Sequence, residues 1–133
     1  MLSRRLIDAW NSKDPNQVVA LYSTTGVRHQ HALPEALLEG SEAIAQMVGA
    51  LMHSTPDFVL SEMGTIAQDD RVALQWRWDG TVQNDLGDLP GRGQEIHLRG
   101  ASFLVVSDGL IVHEDVYWDT ATMMAGAGLL TPA

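Results

Sequence analysis

The apolar residues of this chain change period at Pro56, and that change constrains the fold more than any other feature. Before it, one short alternating run aside, they recur every three or four residues, whereas beyond Pro56 they alternate. FVLSEMGTIA, RVALQWRWDGTV, EIHLRGASFLVV and LIVHEDVYW each read as a strand. Between them lie Asp69 with Asp70, a Gly- and Pro-containing loop from Asn84 to Gln94, and the turn Ser107, Asp108, Gly109. Four such strands in succession predict an antiparallel meander.

The helical half precedes it. Leu2, Leu6, Ile7 and Trp10 share one helical face, NSKDPN interrupts them, and Val18, Val19, Leu21 and Tyr22 resume the spacing. Asp14 before Pro15 is a capping and first-turn pair, so two consecutive helices are expected. Val27 to Ala32 alternates and reads as a short strand, with Val27, His29 and His31 on one face and Arg28 and Gln30 on the other. Ser41 is the expected cap of a third helix carrying Ile44, Met47, Val48, Leu51 and Met52. Asp119 caps a short terminal helix that Gly126 and Gly128 weaken. Helices followed by strands imply an α+β fold with the helices on one face of a sheet. Such a sheet, curled around helices that do not fill it, is a cone with an apolar pocket.

At 133 residues the chain suits one domain spanning 1–133. Eight Lys and Arg against 17 Asp and Glu give a net charge of -9, which opposes binding to nucleic acid or to anionic lipid. With no cysteine, disulfides, thiolate catalysis and Cys-ligated zinc are excluded. No signal-peptide or membrane-spanning run is visible, so the cytoplasm is the expected location. No dinucleotide or phosphate-loop glycine pattern occurs, and no cofactor is expected.

His29 and His31 project from one strand face, and imidazoles titrate near neutral pH, where they serve as acid or base. The plainer alternative is a pair of histidines with local hydrogen bonds. Two imidazoles at i and i+2 also suggest a metal, which needs a third ligand and a fourth position; Glu114 or Asp115 could supply one ligand, but no metal is expected. In LIVHEDVYW, Glu114, Val116 and Trp118 share one face; His113, Asp115 and Tyr117 share the other. A carboxylate among Val116 and Trp118 would have a raised pKa suited to a general acid, or would orient His29; a bulge would instead turn it to solvent. His97 and Arg99 face opposite to Ser102 unless Gly100 marks a bulge.

Together "AWNSKD", "VVALYS", "GSEAI", "TPDF", "DDRVALQW", "GT" and "SDGLIVHEDVYWD" cover nearly the whole chain. In this order the chain resembles the SnoaL-like polyketide cyclases of the NTF2-like superfamily, which also holds ketosteroid isomerase and limonene epoxide hydrolase. The resemblance implies an NTF2-like cone, three N-terminal helices packed on a strongly curved, mostly antiparallel sheet. It places the isomerase base at His29, the isomerase oxyanion-hole Tyr at Leu6 and its protonated Asp at Ser102. Leu6 donates no hydrogen bond, so that activity is not implied. The epoxide hydrolase set falls on Asn84, Val82 and Val116, none of which matches. The cyclases' Gly-Thr-His reads Gly80, Thr81, Val82 here.

In such a cone Trp76 and Trp78, on the face of Val72 and Leu74, are both core and pocket wall. Tyr22, Met47, Leu51, Met52 and Phe58 would line it from the helix side, Val116 and Trp118 from the last strand, and Ser102 would donate to a substrate oxygen. The expected function is general acid/base chemistry on an apolar carbonyl-containing molecule: isomerisation, aldol-type cyclisation or dehydration. His29 would be the base, with His31 and Glu114 positioning or returning the proton. The alternatives are a binding or dimerisation domain without chemistry, and a hydrolase activating water between His29 and Glu114. A second copy is expected against the convex sheet face.

Overall fold

Asp14 and Pro15 divide the N-terminal helical pattern in two. Helix α1 (Leu2–Asn11) buries Leu6, Ile7 and Trp10. Helix α2 (Pro15–Val19) starts where the Asp14 side chain accepts from the Asn16 amide at 2.9 Å, as the capping pair predicts. Tyr22 does not continue α2. The helix ends at Val19, and Leu21 and Tyr22 are buried by a turn into strand β1 (Tyr22–Gln30), so helical spacing here marks a junction between two elements. The strand is longer than expected, and His31 lies just beyond it.

A short strand, β2 (Ala36–Glu39), pairs antiparallel with β1 and has no counterpart among the expected elements. Helix α3 (Ser41–Ser54) buries Ile44, Val48 and Met52. Its cap is Gly40 at φ +88°, a conformation that glycine adopts freely; Ser41 is the first helical residue, and its hydroxyl bonds to the Thr24 carbonyl instead. The four predicted strands follow as β3 (Val59–Gln68), β4 (Arg71–Val82), β5 (Gln94–Ser107) and β6 (Leu110–Trp118). The β5–β6 turn carries Asp108 and Gly109 at φ +53° and +77°, the left-handed pair of a tight hairpin. Asp119 caps the terminal helix α4 (Thr120–Gly126), accepting from the Thr122 amide.

The computed structural model describes residues 1–129; positions 130–133 of the expected domain lie outside them. The six strands form one sheet in the order β2-β1-β6-β5-β4-β3. Every neighbouring pair is antiparallel except β1–β6, where the first long strand zips parallel to the last. This is the NTF2-like cone. The helices cover the inner face of the sheet, and Asn11 pins α1 to edge strand β3 by bonding both the Leu60 amide and carbonyl at 2.8 Å. The inner face is set by Leu74, Trp76 and Trp78 on β4, Ile96, Leu98, Ser102 and Leu104 on β5, and Glu114 and Val116 on β6.

Gly100 makes no bulge. β4 and β5 pair without interruption from Arg71↔Val105 to Val82↔Gln94, so His97 and Arg99 stay on the outer face. A Cβ on Gly100 would lie 2.2 Å from Cζ2 of Trp76: the glycine is the space that this indole occupies.

Candidate functional site

Between the helices and the inner sheet face lies a cavity of ≈ 60 Å³. Its walls include all four tryptophans of the chain, Trp10, Trp76, Trp78 and Trp118. Leu86 and Leu89, from the loop between β4 and β5, and Met123 of α4 close one side. None of the five histidines reaches it. The surface is mostly hydrocarbon, interrupted by Arg28, Glu114 and Ser102 on neighbouring strands and by Ser54 and Thr55 at the end of α3.

Arg28 and Glu114 stand opposite each other in the parallel β1–β6 register. Arg28 Nη1 meets Glu114 Oε1 at 2.7 Å, with the two residues 3 % and 1 % exposed. The Tyr22 hydroxyl donates to the same oxygen at 2.5 Å. Arg28 Nε donates to Gln30 Oε1 at 3.0 Å, and Gln30 Nε2 donates to the Pro34 carbonyl at 2.9 Å. This buried polar chain satisfies its members in sequence, the condition under which charge is tolerated in a core. Burial pushes the Tyr22 phenol well above its ordinary value, and the neighbouring carboxylate adds to this. For Arg28, burial opposes the charge, but the Glu114 carboxylate outweighs it and the guanidinium is held more firmly protonated. On β5, Ser102 Oγ accepts from Trp76 Nε1 at 3.1 Å, which orients the hydroxyl and leaves its own hydrogen for a ligand.

His29 and His31 lie on the other face. The expectation that they line the pocket is corrected: on β1 the buried side chains are Tyr22, Arg28 and Gln30, and the alternation sends His29 outward. Val27 is an unreliable guide to the inner face, because this strand buries polar residues that find partners inside. Glu114 faces inward as the alternation of β6 predicts, but it meets Arg28 and Tyr22 rather than His29, so it does not sit in purely apolar surroundings. A water shared by His29 and Glu114 is removed by the same geometry. Trp76, Trp78, Ser102, Val116 and Trp118 do line the cavity. Tyr22, Met47 and Phe58 do not: Tyr22 stands behind Glu114, Phe58 stacks behind Trp78 at 4.0 Å between ring centroids, and Met47 is half-buried on α3.

On the outer face, His31 Nε2 lies 2.8 Å from Asp115 Oδ1, and His113 Nε2 lies 3.1 Å from Asp115 Oδ2. The His29 and His31 rings are 3.8 Å apart between centroids, and His31 stacks on Tyr117 at 4.5 Å. The bond to His31 holds the Asp115 carboxyl below its usual range despite partial burial, with His113 adding to the effect.

The family model for the SnoaL-like polyketide cyclases matches residues 1–126. The chain belongs to that family. Among solved structures, AclR of Streptomyces galilaeus, a candidate hydroxylase, superposes with a TM-score of 0.85 at 20 % identity, covering 99 % of this chain and 85 % of that one. A SnoaL-like polyketide cyclase candidate from Jannaschia gives 0.86 at 16 % identity, covering 98 % and 91 %. IdmH of Streptomyces antibioticus, a candidate polyketide cyclase, gives 0.79 at 21 % identity, covering 96 % of each chain. At these identities the likeness is one of fold. A search of curated proteins finds no match to the sequence.

Within the SnoaL-like frame, Leu6, Ser102 and Val116 lie in the cavity wall, where the resemblance puts functional positions of relatives. Val82 is buried core, and the Asn84 side chain bonds the His53 carbonyl. No helix among the described residues is long and apolar enough to cross a membrane. Sequence reasoning missed Arg28. Its signal was present: an Arg alternating with Gln, on a strand whose neighbour carries a single inward carboxylate.

Proposed function

We propose that this SnoaL-like protein is an enzyme acting on an apolar, carbonyl-containing small molecule by proton transfer inside the cavity. The observation that carries the reading is that one carboxylate, Glu114, bonded to Arg28, shares a mostly hydrocarbon cavity wall with a second hydrogen-bond donor, Ser102. Glu114 takes a proton from the carbon next to the carbonyl. The C–H electrons form the enolate, and its oxygen is stabilised by the Ser102 hydroxyl and the Arg28 guanidinium. Return of the proton from Glu114 to a different carbon is isomerisation; attack of the enolate carbon on a second carbonyl of the same molecule, with Glu114 giving its proton to the alkoxide that forms, is aldol-type cyclisation. Where the enolate carries a β-hydroxyl, its electrons form the C=C bond, the C–O bond breaks and Glu114 gives its proton to the departing hydroxyl, which leaves as water: a dehydration. Tyr22 and Gln30 hold the two charged groups in place, and no cofactor enters these steps.

The test uses 2-tetralone, an apolar ketone with exchangeable α-protons. Its hydrogen–deuterium exchange in D2O is followed by NMR with and without the protein. Catalysed exchange is expected, with Glu114→Gln lowering it about 100-fold or more and Ser102→Ala about 10–100-fold. Binding without any catalysed exchange favours a ligand-binding domain. One observation supports that second reading: both donors to Glu114 converge on its Oε1, which engages the carboxylate before any substrate arrives.

A second copy of the chain against the outer sheet face is part of the same reading. Phe103 and Tyr117 are 50 % and 44 % exposed there, edge to face at 6.0 Å, with Val59 and Ile66 exposed on the same side. Sedimentation of Phe103→Glu against the wild type tests it; loss of a dimer is the expected outcome.

A further inference from the structure

His29, His31 and Asp115 take no part in the cavity chemistry. Among the described residues they are the one group of three or more His, Asp and Glu side chains whose donor atoms all lie within 4.8 Å of one another. We propose that they form a binding site for a divalent first-row transition ion on the outer sheet face, with two imidazoles and one carboxylate as ligands. The backbone builds this arrangement. The parallel register sets Asp115 directly across from His29, and the strand period sets His31 two residues further on the same face. Strand geometry spaces such side chains about 6–7 Å apart at their roots, yet these rings converge to 3.8 Å between centroids. Metal–ligand bonds of about 2.0–2.2 Å require donor atoms roughly 3.3 Å apart in a tetrahedral site. The three donor atoms, all within 4.8 Å of one another, stand close to that spacing.

Two further features suit an ion. His113 holds the second oxygen of Asp115 at 3.1 Å while Oδ1 meets His31 Nε2 at 2.8 Å, so His113 is a positioning residue for the carboxylate. Among the described residues, the side-chain hydrogen bonds and ion pairs of Asp115 are all to histidines, with no Lys or Arg side chain to be displaced. The net charge of -9 draws cations toward the surface. Two imidazoles and a carboxylate leave at least one coordination position for water, and this ligand set suits Zn2+, Co2+ or Ni2+ better than Mg2+ or Ca2+. The ion would clamp the parallel β1–β6 seam, whose inner face carries Arg28 and Glu114. The site stands independently of the reaction proposed for the cavity.

Zn2+ titrated calorimetrically into the chelator-stripped protein tests the site. One equivalent is expected to bind with a Kd in the micromolar range or below, and to raise Tm. His29→Ala, His31→Ala and Asp115→Ala should each weaken binding at least about 10-fold, and His113→Ala about 10-fold. The exposed His53, outside the cluster, serves as control, and His53→Ala should change nothing. A second readout needs no variant: one equivalent of Co2+ should broaden the imidazole resonances of His29, His31 and His113 while sparing those of His53 and His97. Absence of saturable binding, binding that survives both His29→Ala and His31→Ala, or broadening of His53 first would overturn the site.

Discussion

The two faces of the β1–β6 pair are built from adjacent residues and behave as opposites. Inward, Arg28 and Glu114 form an ion pair closed off from water, with Tyr22 and Gln30 completing its hydrogen bonds. Outward, one residue along each strand, His29, His31, His113 and Asp115 form a half-exposed cluster. The difference shows that polarity on a strand does not identify the solvent side. What identifies it is whether each polar group has a partner across the seam, and the parallel register supplies Glu114 to Arg28 just as it supplies Asp115 to His29.

The comparison breaks most readily at its buried half. Glu114→Ala leaves the Arg28 guanidinium buried and unpaired, and urea unfolding should show a loss of about 3–5 kcal/mol. The double variant Arg28→Met with Glu114→Leu should regain part of this, falling short by the unpartnered Tyr22 hydroxyl and Gln30 amide. If Glu114→Ala were as mild as His29→Ala, the inner pair would not be the buried element described.

Tyr22→Phe removes one charge-assisted hydrogen bond and should cost about 1.5–3 kcal/mol, whereas Tyr117→Phe on the outer face should change stability by no more than about 0.5 kcal/mol. The pH dependence has a definite sign. The folded pKa of Tyr22 lies well above the ordinary 10.0, so its contribution is complete below pH 10 and lost as pH rises toward the folded value. Absorbance at 295 nm should therefore show one tyrosine ionising only as the protein unfolds, a step absent in Tyr22→Phe.

Gly100→Ala forces the Trp76 indole to move and should cost about 1–3 kcal/mol, with a change in tryptophan fluorescence. The smallest effect belongs to the outer pair His97 and Asp79, 2.6 Å apart. The hydrogen bond that His97 donates to the Asp79 carboxylate raises the His97 pKa above 6.5, despite some desolvation. Its contribution is present below pH 6.5 and fades as pH rises through the folded value. In an NMR titration, Asp79→Asn should lower the His97 midpoint, with Glu95 keeping part of the upward shift.

The period change at Pro56 carried most of the fold: four strands, their turns and the inward facing of Glu114, Ser102, Trp76 and Trp78 follow from alternation that burial enforces over long strands. Asp14 and Asp119 were legible as caps because a short carboxylate before a helix has one obvious use. Short elements were harder. Ala36–Glu39 is only four residues, too few for a period, and Tyr22 satisfies helical spacing while beginning a strand. The facing of β1 failed for a physical reason. Its inner positions are polar, and their partner stands 86 residues away in sequence, a separation that no local pattern reports. The outer cluster was legible in part: His29 and His31 stood out and Asp115 or Glu114 was a candidate third ligand, but the choice of Asp115 and the addition of His113 come only from the parallel seam.

The proposed chemistry requires that an apolar carbonyl compound meet the tryptophan-lined inner face and leave the outer histidines untouched. All four indoles lie in the cavity wall and all five imidazoles lie outside it, so one NMR titration with 2-tetralone separates the two faces. The account predicts saturable shifts of the indole N–H resonances of Trp76 and Trp118, with the imidazole resonances of His29 and His31 unmoved. Shifts confined to those imidazoles, with the indoles silent, would contradict it.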